Sequence, residues 1–244
     1  VIARRTAYLL TVLGLTAALS GAASAQGVTI DLGQGGVSER ALQLVALVTV
    51  LSIAPSILIM VTSFTRIVVV LSLLRAALGT QTAPPNTVLV SLALFLTAFI
   101  MAPVFTQAYN DAVVPMVAGT ITPEQAFNQA TPPFRTFMLQ HVREKDLRLF
   151  ADMAQEQVQS PEEVSLRALV PAFMISELRR AFEIGFLLFV PFLVIDLVVA
   201  SILMSMGMMM LPPIIVSLPF KLIFFVLVDG WNLVAGSLVE SFVR

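Results

Sequence analysis

The sequence predicts an all-α membrane protein: helical hairpins from four hydrophobic segments, joined through an amphipathic helical insertion. Two observations carry this. Of 244 residues, 58% are hydrophobic and 12% charged, against roughly 25% charged in a soluble domain. A single aqueous fold has too little charge here to cover its surface and too much apolar side chain to hide. The charges are also unevenly placed. Residues Ala41 to Asn110 carry only Arg66 and Arg75, and Ile184 to Val228 only Asp196 and Lys221.

Residues 1–25 read as a cleavable signal peptide. Arg4 and Arg5 form a basic start, Tyr8 to Leu19 an apolar run too short to span a bilayer, and Ala23-Ser24-Ala25 a small-residue site. Cleavage is expected between Ala25 and Gln26, followed by a short periplasmic segment, 26–40. The block 41–108 predicts a first hydrophobic hairpin, with spans near 42–63 and 87–108 and a basic connection between them. Pro55 and Pro103 should bend or break those spans. Asn86, after Ala83-Pro84-Pro85, is expected to cap the second span. Residues 109–170 differ in kind, with eight acids, five bases and His141. Phe134, Phe137, Met138, Leu147, Phe150 and Met153 recur there at roughly helical spacing, which predicts two amphipathic helices ending before Pro161 and Pro171. The block 171–244 predicts a second hairpin, turning at Gly207-Met208-Met209-Met210-Leu211-Pro212-Pro213, and a short helix beginning near Ser176.

Basic residues in short loops mark the cytoplasmic side. Arg66 and Arg75 therefore place the first connection inside, and the net-acidic insertion on the periplasmic side of an inner membrane. Nine positions separate the two arginines, so they lie on opposite helix faces, and each is expected to snorkel to a headgroup or cap a helix end. The net charge of −1 offers no field for nucleic acid. One histidine and no cysteine leave no metal set. Neither a P-loop nor a nucleophile elbow occurs, and no enzyme activity, cofactor or metal is expected. His141 reads as a surface histidine.

Two groups of residues stand out. Asp196 and Lys221 are placed symmetrically about the methionine turn, so a hairpin brings both to one depth, about 18 Å from it. Charges at such depth need a partner, and a buried ion pair, within one chain or between neighbours, is expected, with a double charge reversal restoring what single reversals lose. Met208, Met209 and Met210 are flanked by Gly207, which permits backbone movement, and by Pro212 and Pro213, which stiffen the exit. Methionines there suit either packing against neighbouring helices or a soft apolar constriction.

Three stretches resemble one family. Residues 171–186, PAFMISELRRAFEIGF, and residues 219–231, PFKLIFFVLVDGW, are similar to its two signatures, and residues 62–86, TSFTRIVVVLSLLRAALGTQTAPPN, match it again. This is the FliP family of flagellar type III export-gate membrane proteins, homologous to the SctR family of virulence injectisomes. The signal peptide favours the flagellar branch. The resemblance implies a pentamer that joins FliQ and FliR, works with FlhA and FlhB, and passes unfolded flagellar proteins across the inner membrane of the basal body. It further implies that Met208, Met209 and Met210 form the channel gate, hinged at Gly207, Pro212 and Pro213, and that Phe137, Phe150 and Glu177 lie in contacts between subunits. Glu183 stands where the family also uses glutamine, so no role rests on its charge. The alternatives are the equivalent subunit of a virulence secretion system and, in a different class, a small-solute transporter subunit, for which no internal repeat is found.

Overall fold

The computed structural model describes residues 37–156, 160–208 and 210–243. The expected cleavage residues Ala23, Ala25 and Gln26, and Met209 of the turn, lie outside the described residues. The chain divides after Val50 into two compact units. The described part of the first is the start of helix α1 (Val37–Met60), where Thr49 Oγ1 donates back to Val45 O at 2.7 Å.

In the second unit α1 ends at a buried Thr62-Ser63 corner, and α2 (Phe64–Leu78) begins. The connection expected to be basic is a deeply buried helix. Ile67, Val70, Leu71, Leu74, Ala77 and Leu78 repeat at three- and four-residue intervals and face the core. Fully burying one such leucine contributes roughly 1.5–3 kcal/mol. Gly79, at φ +77°, closes α2. Helix α3 (Asn86–Ala108) follows, then a π turn (Tyr109–Val113) and the short α4 (Val114–Val117).

Helix α5 (Pro123–His141) opens on a capping box. Gln125 N–H donates to Thr122 Oγ1, Thr122 N–H donates to Gln125 Oε1, and Pro123 occupies the first turn. Helix α6 (Glu144–Met153) and a 3₁₀ turn (Pro161–Glu163) complete this amphipathic region. Arg135 fastens the 3₁₀ turn by donating to Glu162 O and Val164 O.

Helix α7 (Leu166–Ser205) is 40 residues long. The break expected before Pro171 and the separate start near Ser176 are absent: both fall inside one helix, as does Pro191. Pro55 and Pro103 likewise lie within continuous helices. Proline holds φ near −65°, which is already helical, and loses one hydrogen bond. At Pro171 the buried neighbours Leu169, Ala172 and Phe173 hold the chain in place. Helix α8 (Pro213–Leu227) runs back beside α7, and α9 (Gly230–Val243) leaves it at 63°. Asp229 sits at φ +50° in that joint. A side chain at position 230 would meet Phe225 Cε2 at 2.2 Å, so glycine is required there.

Among the described residues, the stretches Asn86–Val117 and Leu166–Ser205 are long and apolar enough to cross a membrane. The bent pair α8 and α9 makes a third if it counts as one span. The core is continuous across α2, α3, α5, α7 and α9, with Phe173, Met101, Met138 and Leu238 fully enclosed.

Candidate functional site

Three charged nodes tie α7 to its neighbours. The deepest joins Arg66 of α2 to Glu177. Arg66 Nη2 and Nε donate to the two carboxylate oxygens at 2.5 and 2.9 Å, and both side chains are almost wholly enclosed. Such a two-bond fork is the strongest arrangement a guanidinium and a carboxylate can make. Arg66 Nη1 also donates to Ser241 O and Oγ, and the guanidinium carbon lies 3.6 Å from the centre of the Phe242 ring. Arg66 therefore does not snorkel to a headgroup, and it contributes nothing to loop charge. Arg75 donates to Asn86 Oδ1 at 2.5 Å and to Pro84 O, joining the end of α2 to the start of α3, whereas Arg66, on Ser241 O in the last turn of α9, caps a helix end.

The second node lies nearer the turn. Lys221 Nζ of α8 donates to Asp196 Oδ2 at 2.7 Å and to Ala77 O, in the last turn of α2, at 3.1 Å. Ser217 Oγ donates to the other Asp196 oxygen at 2.5 Å. One cation thus pairs an acid on α7 and caps the carbonyl end of α2. The pair forms within one chain.

The third node joins α6 and the residue before it to α7. Arg143 grips both oxygens of Asp146, and Ser176 Oγ donates to Asp146 Oδ2 at 2.6 Å while accepting from the Arg143 N–H. Burial pushes the Asp146 carboxyl up, but the Ser176 hydroxyl and the Arg143 guanidinium outweigh it, and the group is held below its ordinary range. Asp146 gave no signal in the sequence beyond its i,i+3 spacing from Arg143.

The methionine turn is open. Ser205 ends α7, and Gly207, at φ +72°, completes a Schellman cap. Its N–H donates to Met204 O, and the Met208 N–H to Leu203 O. Met206, Met208 and Met210 are all exposed, Met210 almost completely. Pro212 caps α8 and Pro213 is its first residue. No side chain of the described residues covers Gly207.

The residues expected at subunit contacts pack against the chain's own helices. Phe137 is buried in the chain's own core, its ring 5.9 Å from Phe173 and 6.0 Å from Phe242. Phe150 is half-buried against the same core. Glu177 is fully buried on Arg66. Exposed apolar side chains also lie further along α7, at Phe182, Phe186, Leu187, Val190, Leu193 and Leu197. Their spacing makes one stripe. Among the described residues no three metal-binding side chains converge.

Residues 47–238 match the FliP family. The chain belongs to the FliP family. The flagellar biosynthetic protein FliP of Caulobacter vibrioides is 60% identical over 98% of this chain and 92% of its own length. Those of Rhizobium meliloti and Bacillus subtilis are 53% and 54% identical, over 93% and 82% of this chain. The FliP match spans the ion pairs of all three nodes, the methionine turn and α9 as far as Leu238, short of Ser241 and Phe242.

Proposed function

We propose that this FliP-family chain is a core subunit of the flagellar type III export gate, forming the channel through which unfolded flagellar proteins cross the inner membrane. The observation that carries this is the family match over residues 47–238, with relatives named flagellar biosynthetic proteins at 60% identity. In this function the exposed stripe of α7 meets further copies in a pentamer, with FliQ and FliR beside them and FlhA and FlhB on the cytoplasmic side. A contiguous apolar surface of this kind needs lipid or protein against it.

The methionine turn is the gate. A ring of such turns makes a deformable apolar constriction that excludes water and ions while yielding to a polypeptide. Gly207 supplies the hinge, and Pro212 and Pro213 fix the far side. No catalytic step or cofactor is involved. The flagellar relatives support this system over a virulence injectisome, and the small-solute carrier has no observation in its favour.

The test is deletion of the gene in the source bacterium, complemented by wild type or by Met208, Met209 and Met210 all changed to Ala. Deletion should abolish export of early rod and hook proteins, and the purified triple variant in its partner complex should leak small ions. Normal export in the deletion strain would remove the proposal, and an unchanged conductance would remove the gate.

A further inference from the structure

The tip of α9 is fastened by two side chains, one permanently charged and one titratable. Arg66 holds Ser241 and stacks on Phe242, as described. His141, the last residue of α5, holds the backbone of Phe242. Its Nδ1 lies 2.7 Å from Phe137 O and its Nε2 3.3 Å from Phe242 O. Carbonyl oxygens only accept, so both contacts are hydrogen bonds only when both ring nitrogens carry protons. A neutral imidazole has one N–H and can satisfy one of the two. The ring also lies 4.5 Å from Phe137 and 5.2 Å from Phe242, which fixes its plane between them.

We propose that His141 is a pH-sensitive latch on the C-terminal helix: the imidazolium form docks the last turn of α9, and the neutral form frees it. Phe137 O belongs to the last turn of α5, so the ring bridges the end of that helix to the end of α9. From α2 the ring faces Arg66, and from α7 it faces Glu177, Arg180 and Glu183. Arg66 and Glu177 neutralise one another, and Glu183 is bonded to Arg179. Helix α3 brings only Ile100, Pro103, Val104 and Gln107 to that side, none of them titratable. Arg143, two positions beyond His141, is engaged by Asp146. On α9, Glu240 is exposed and about 200° around the helix from Phe242. The deeper contacts of α9, Val234 and Leu238, are apolar and indifferent to pH, so release is confined to the tip. That tip borders a cavity of about 920 Å³ lined by Arg66, Arg180, Glu183 and Leu187, which the latch opens or narrows.

The composition makes the test clean, since the chain has no cysteine and one histidine. Spin labels on Gln129→Cys and Glu240→Cys, both exposed positions, report the tip-to-α5 distance in the full chain in lipid nanodiscs. Between pH 5.5 and 8 the undocked fraction should rise roughly fivefold, as expected for the loss of one hydrogen bond. Its midpoint should coincide with the single imidazole titration seen by ¹⁵N-histidine NMR. His141→Gln, which keeps one donor, should show no pH response. A distance distribution that does not change with pH, a midpoint displaced from the imidazole titration, or an equal response in His141→Gln would each overturn the latch. The wild-type series with NMR decides the matter even where the variant fails to fold.

Discussion

The two halves of α7 continue one helix but differ in composition and in surroundings. From Leu166 to Gly185, Ala168, Leu169, Ala172, Phe173, Ser176, Glu177, Ala181 and Gly185 are buried, a stripe advancing by about four residues against α2, α5 and α6. From Phe186 to Ser205 only Phe192, Val199 and Leu203 are buried. Large side chains such as Phe186 and Leu197 face outward there. The small residues explain the difference. Alanine and glycine in the first half let α2 approach until Leu73 Cδ1 stands 2.2 Å from where a Gly185 Cβ would lie. The second half has bulky residues all round, and bulk without a facing helix becomes a surface for lipid or for other chains. One helix is thereby both the axis of the chain's own fold and the margin of something larger.

The largest test of that contrast is at Glu177. Changing Glu177 to Ala leaves Arg66 enclosed without its carboxylate, and the expected loss is about 3–5 kcal/mol, read as the shift in unfolding midpoint of the detergent-solubilised chain. A shift no larger than that of a surface substitution would mean the node is hydrated. Next comes Gly185→Ala, whose methyl collides with Leu73 and should cost about 1–3 kcal/mol; a neutral result would show that α2 and α7 separate easily. Lys221→Met is expected to cost about 2 kcal/mol, because Asp196 is a third exposed and regains water. The double reversal Asp196→Lys with Lys221→Asp should recover only part of either single loss, since a carboxylate at 221 cannot donate to Ala77 O; full recovery in an assembly assay would show that the cap on α2 is dispensable. Smallest is Phe186→Ala, within about 0.5 kcal/mol for the isolated chain yet lowering the population of assembled rings in native mass spectrometry. An intact ring population would move the interface off the second half of α7.

Much of this was legible in the sequence, and the gaps have physical causes. Hydrophobic runs and turn residues marked most helices, because apolar periodicity and Gly or Pro punctuation are local signals. The Asp196–Lys221 contact was readable because a hairpin turn relates the two positions by simple symmetry. Arg66 was not. An arginine between apolar runs looks like loop charge, and its partner Glu177 is 111 positions away, with nothing local to connect them. A shorter separation, 30 positions, hid Asp146 in the same way, and its bond to Ser176 joins the amphipathic region to α7. The prolines misled in the other direction, since Pro103 and Pro171 punctuate a sequence but cost a well-packed helix one hydrogen bond each. Phe137, Phe150 and Glu177, assigned by resemblance to contacts between chains, also pack within this one, and the core of a symmetric ring is partly its interface.

Helix α7 has one more property, which is its span. Forty residues at ~1.5 Å each extend about 60 Å, twice the ~30 Å of a hydrocarbon layer. Glu177 and Ser205 are therefore some 40 Å apart on a single continuous rod. Asp196 lies between them, so the Arg66 fork and the Lys221 pair brace the same rod at two depths roughly 28 Å apart, and the methionine turn stands beyond the second brace.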